Sequence, residues 1–129
     1  MITTTASAID QLADKVRELA IARPETVYRP APTGQTSPAA HCSYLGGTCS
    51  DGTLGCLVGQ ALLAVGFTVE QLRSVDLFGI EEALDKLHPF ELTDHQYQQV
   101  RWLESVQNAQ DNGYAWREAI AIANQEEPP

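Results

Sequence analysis

The chain has 129 residues, 43% of them hydrophobic, and a formal charge of -9. Length and apolar content fit one domain that buries a modest core without needing disulfides or metal, and they exclude wholesale disorder. No apolar run approaches the roughly 20 residues that cross a bilayer. The longest, 56–67, is broken by Gly59, Gln60 and Gly66.

The N-terminal stretch 1–8 is threonine-rich and lacks the basic-then-apolar pattern of a secretory signal. The expectation is a soluble, cytoplasmic protein without a membrane partner. The charge is uneven: residues 1–65 carry five acids and four bases, residues 66–129 twelve acids and four bases. A surface of that sign repels phosphate backbones, so direct nucleic-acid binding is disfavoured. It either attracts a basic partner or simply keeps the protein in solution.

In chain order, Ile9, Leu12, Ala13, Val16, Leu19 and Ala20 recur at steps of three and four and predict an amphipathic helix over 7–23. Ser7 or Thr5 is its expected cap and Pro24 its stop. Residues 24–53 hold four of the seven prolines and four of the nine glycines with no apolar period, which predicts a long loop. Thr26–Tyr28 has the composition of a strand, but no clear partner strand is visible.

Residues 55–65 are apolar almost all round, the pattern of a buried helix. Gly66 supplies a left-handed C-cap, with Phe67 folding back on Leu62. Thr68 and Gln71 have capping-box spacing and open a short helix whose inward face is Val69, Leu72 and Val75. Ile80, Ala83, Leu84 and Leu87 predict a further short helix stopped by Pro89.

Thr93 caps a helix over 94–111 lined by Tyr97, Val100, Leu103 and Val106, with Trp102 and Ala109 widening the stripe. Gly113 ends it. The turn Asp111-Asn112-Gly113 folds a last helix, carrying Trp116, Ala119, Ile120 and Ala123, back antiparallel. Residues 126–129 read as a frayed tail. The fold expected is all-α: a single domain over 1–129, an irregular bundle of about five helices with a long Pro/Gly-rich loop between the first and second.

Candidate sites are sparse. Cys42, Cys49 and Cys56, with His41 beside the first, form the one constellation suggesting metal, but structural zinc ligands usually pair two to four residues apart, and here six residues fill each gap. A Cys42–Cys49 disulfide is disfavoured in a reducing compartment, and Cys56, in the first turn of the apolar helix, reads as a core thiol. Cys49 as a nucleophile would need His41, His88 or His95 beside it. The glycine-rich stretch 46–55 leads into a helix N-terminus but has no lysine, and Asp51 would oppose an anion. Capping of that helix by Asp51 or Thr53 explains it more simply.

Leu62–Asp76 resembles the turn region of DNA-binding helix-turn-helix proteins, with Gly66 at the turn. The reading helix would offer Arg73 alone against Glu70 and Asp76. Around the last turn, Trp102, Trp116, Gln107, Gln110 and Tyr114 could expose an aromatic anchor for a partner. The partner-binding residues expected are Tyr44 and Leu45 in the loop and Trp102 and Tyr114 at that turn. No cofactor or catalytic group is expected.

The runs CLVGQALLAVGF and WLESVQNAQDNGYAWREAIAIAN resemble small helical proteins of actinobacteria and their bacteriophages. The resemblance implies a compact acidic accessory protein that binds a bacterial host protein. The leading expectation is therefore a non-enzymatic protein-interaction module, a phage-encoded modulator of a host protein. Its alternatives are a helix-turn-helix regulator and a small-ligand or metal-binding protein built on the Cys/Gly-rich loop. A homodimer through apolar helix surface stays open.

Overall fold

The computed structural model describes residues 5–29, 43–76, 78–87 and 93–126. Among them the chain is mostly helical: α1 (Thr5–Ala22), α2 (Leu57–Ala64), α3 (Val69–Ser74), α4 (Ile80–Leu87), α5 (Asp94–Asp111) and α6 (Trp116–Glu126). Two short strands, β1 (Tyr28–Arg29) and β2 (Thr48–Cys49), lie between α1 and α2. The expected stop of the fourth helix at Pro89 and the tail beyond Glu126 fall outside the described residues.

The apolar stripe of α1 turns inward as its spacing requires, with Ile9, Leu12, Ala13, Val16 and Ala20 buried. A leucine buried in this way contributes about 1.5–3 kcal/mol. This face packs on α2 and α5. The second helix, apolar on every side, is central: Leu57, Val58, Ala61 and Leu62 are all fully buried. It ends as the sequence indicates. Gly66 takes a φ of 115°, and the Phe67 amide donates to the Leu62 carbonyl at 3.1 Å, closing the turn over the last carbonyls.

The expected capping box forms, and the Thr93 cap proves to be a second one. Thr68 accepts from the Gln71 amide and Gln71 from the Thr68 amide, and Thr93 and Gln96 repeat the exchange at the head of α5. One inward assignment differs in α3: Leu72 and Val75 are buried, but Val69 is exposed. Val69 is the first helical residue and stands at the exposed start of the helix. Tyr97, one turn into α5, is likewise 42% exposed while Val100, Leu103 and Val106 are buried.

The α5–α6 pair is antiparallel, as the short turn requires. The Trp102 indole Nε1 on α5 donates to Asn124 Oδ1 near the end of α6 at 2.8 Å. The head of α6 is held at the other end of the molecule, where the Trp116 and Arg117 amides donate to the Thr26 and Pro24 carbonyls, each at 2.9 Å. Chain leaving α1 thus satisfies the free amides that begin α6.

The region expected as one long loop is partly ordered into sheet. Strands β1 and β2 pair antiparallel, with Tyr28 opposite Cys49 and Arg29 opposite Thr48. Thr48 also bridges to Leu54. The strand expected at Thr26–Tyr28 is found at Tyr28–Arg29, sharing Tyr28 alone, and the two residues of its partner carry no alternation to read. Residues 30–42 lie outside the described residues, and with them His41 and Cys42.

Candidate functional site

Two polar clusters are built from the region between β1 and α2, and they differ in what they can reach. The inner one centres on Tyr44. Its side chain is fully buried, and its hydroxyl donates to the Phe78 carbonyl at 2.5 Å and accepts from Gln107 Nε2 at 3.3 Å. Asp76, between α3 and α4, holds the adjoining backbone by accepting from Ser43 Oγ at 2.9 Å and from the Tyr44 amide at 2.8 Å.

Gly59 of α2 lets this segment lie directly on the helix: a Cβ there would stand 2.1 Å from the Tyr44 carbonyl oxygen. Two amides of α5 complete the arrangement. Gln110 Oε1 accepts from the Leu57 amide at 2.6 Å, and Gln107 Oε1 accepts from the Ile80 amide at 3.0 Å. Free N–H groups at the heads of α2 and α4 would otherwise be buried without partners.

Tyr44 and Trp102 are therefore corrected as partner-contact residues. Tyr44 is an internal strut, and Trp102 is 2% exposed beneath Arg17, whose guanidinium stacks 4.1 Å from the ring centroid. Gln107 and Gln110, expected around an exposed aromatic anchor, are buried as well. Leu45 is partly buried against the core. Of the four expected contact residues Tyr114 is the exposed one, at 45%.

The outer cluster centres on Arg23, one residue beyond α1. Its guanidinium donates to Asp51 Oδ2 at 2.6 Å, to Thr53 Oγ1 at 3.1 Å and to Gln60 Oε1 on α2. It also stacks over buried Trp116, 4.7 Å from the ring centroid. Gln60 Nε2 in turn donates to the Gly55 carbonyl at 3.1 Å and to Thr53 Oγ1 at 3.0 Å.

Asp51 closes a tight turn by accepting from the Thr53 amide and hydroxyl. The Thr53 hydroxyl bond, with the neighbouring guanidinium, holds the Asp51 carboxyl down at about 2, against an ordinary 3.8. Asp51 and Thr53 thus do not cap α2. Cys56 does, its Sγ accepting from the Gly59 amide at 3.3 Å. The carboxylate prefers the arginine and the two donors two residues away.

Cys49 lies just under this cluster, and its Sγ donates to the Gly55 carbonyl at 3.3 Å. Cys49 and Cys56 are both buried thiols. Burial pushes the Cys49 thiol up from its ordinary value, with the Asp51 charge adding to the effect and Thr53 and Arg23 opposing it. A thiol raised in this way is a poor nucleophile and a poor metal ligand at neutral pH. His41 and His88 lie outside the described residues, and His95 meets Gln99 on α5 rather than a cysteine. Among the described residues no three of His, Cys, Asp and Glu converge to hold a metal ion.

The outer cluster borders an open cleft of about 250 Å³ lined by Arg23, Pro24, Glu25, Thr26, Ser50 and Asp51. Large apolar side chains stand exposed on the three elements it ties together. Ile21 is two residues before Arg23 and 79% exposed, Leu54 follows Thr53 and is 66% exposed, and Leu63, one turn past Gln60, is 39% exposed.

The corner at Gly66 does join two helices, but α3 has six residues and its outward charged groups are Glu70 and Arg73. No helix among the described residues is long and apolar enough to cross a membrane. The chain matches no family model, no curated protein and no solved structure.

Proposed function

We propose that this protein is a non-enzymatic interaction module and that its contact surface is the outer cluster with Ile21, Leu54 and Leu63. The observation that carries the reading is a mismatch in exposure. The groups with chemical potential, Cys49 and Cys56, are buried and internally bonded, while Ile21 and Leu54, each within two residues in sequence of a member of the Arg23 network, are exposed.

An exposed leucine or isoleucine alone is ordinary. Here two such residues stand on backbone, the end of α1 and the turn at Thr53, that Arg23 ties together through Asp51 and Thr53, and fixing backbone before binding lowers the entropic cost of contact. Polar groups around them supply the rim that partner surfaces use.

The partner is a protein of a bacterial host, and the chain acts in the manner of a phage-encoded modulator. That context rests on the resemblance of its α2 and α5–α6 segments. The net charge of -9 favours a basic partner. The experiment is affinity capture from an actinobacterial lysate at low and high salt, with bound proteins identified by mass spectrometry. A stoichiometric partner retained through the salt wash is expected, since apolar anchors survive screening. Failure to recover any stoichiometric protein at low salt contradicts the reading.

A further inference from the structure

We draw no further inference here: the strongest candidate, the outward carboxylates Glu81, Glu82 and Asp85 of α4 with Glu70 and Asp94 on the flanking helices, is an acidic cluster whose members mostly occupy first helical turns, where the helix dipole already accounts for them, and nothing in the structure shows what covers it.

Discussion

The inner cluster around Tyr44 and the outer cluster around Arg23 are made of similar materials: a carboxylate, a glutamine and a hydroxyl in each. In the inner one each of those groups bonds the backbone of another element, and Tyr44, Gln107 and Gln110 are buried. In the outer one they bond chiefly to one another at the surface and leave aliphatic side chains standing beside them. The difference teaches that a polar side chain in a loop is no guide to function until its partners are known. The inner amides and carboxylate satisfy helix heads and fasten a segment, whereas the surface network ties the end of α1 and the turn at Asp51–Thr53 to α2.

The comparison is broken most severely at Gly59. A methyl group there meets the Tyr44 backbone rather than a movable side chain, so Gly59→Ala should cost about 3 kcal/mol or more, read as a fall in the urea midpoint or as failure to fold. A variant of wild-type stability would mean that the Tyr44 segment does not lie on α2. Gln110→Leu sharpens the same side of the contrast by leaving the Leu57 amide buried without an acceptor. Its expected cost is about 1–3 kcal/mol in denaturant unfolding, and an unchanged midpoint would remove the strut role from α5.

On the outer side the effects are smaller. The Asp51 carboxyl is depressed in the folded protein, so its stabilising contribution is complete above its ordinary value of 3.8 and is lost as pH falls through about 2. The Asp51→Asn variant should therefore be less stable than wild type at neutral pH and approach it in strong acid. The gap should be under about 1 kcal/mol because the pair is partly solvated. A gap that widens in acid would reverse the assignment. Ile21→Ser with Leu54→Ser should shift the unfolding midpoint least, within about 0.5 kcal/mol per site, since neither side chain is in the core.

Much of the fold was legible because the helices are amphipathic or capped by recognisable pairs. The spacing of Ile9, Leu12 and Val16, the box Thr68–Gln71, the cap Thr93, and Gly66 and Gly113 each left a local signal, and α5 fell on 94–111 as read. What was not legible depends on contacts between distant residues. Strand β2 is too short for a period, and α2 starts at Leu57, which makes Cys56 its cap and leaves Asp51 to bond Arg23, 28 residues away.

Tyr44 looked like a loop aromatic free to meet a partner. Its burial follows from Gly59 and Gln107, neither of which is near it in sequence. Ile21 carried a faint signal: it falls off the buried stripe of α1 and is large and aliphatic where a polar residue would serve. Leu54 stood in plain view inside the glycine-rich stretch, but its bridge to Thr48 and the bond from Arg23 to Thr53 beside it join residues that are distant in sequence.

The most direct measurement compares partner capture by wild type, by the Ile21→Ser/Leu54→Ser double variant, and by a matched Val69→Ser/Tyr97→Ser variant altered at exposed apolar residues elsewhere. Each would first be confirmed as folded by its unfolding midpoint. We expect wild type and the Val69/Tyr97 variant to retain the same protein and the Ile21/Leu54 variant to lose it at least tenfold, a difference of about 1.4 kcal/mol. Equal retention by the Ile21/Leu54 variant would contradict the assignment of the contact surface.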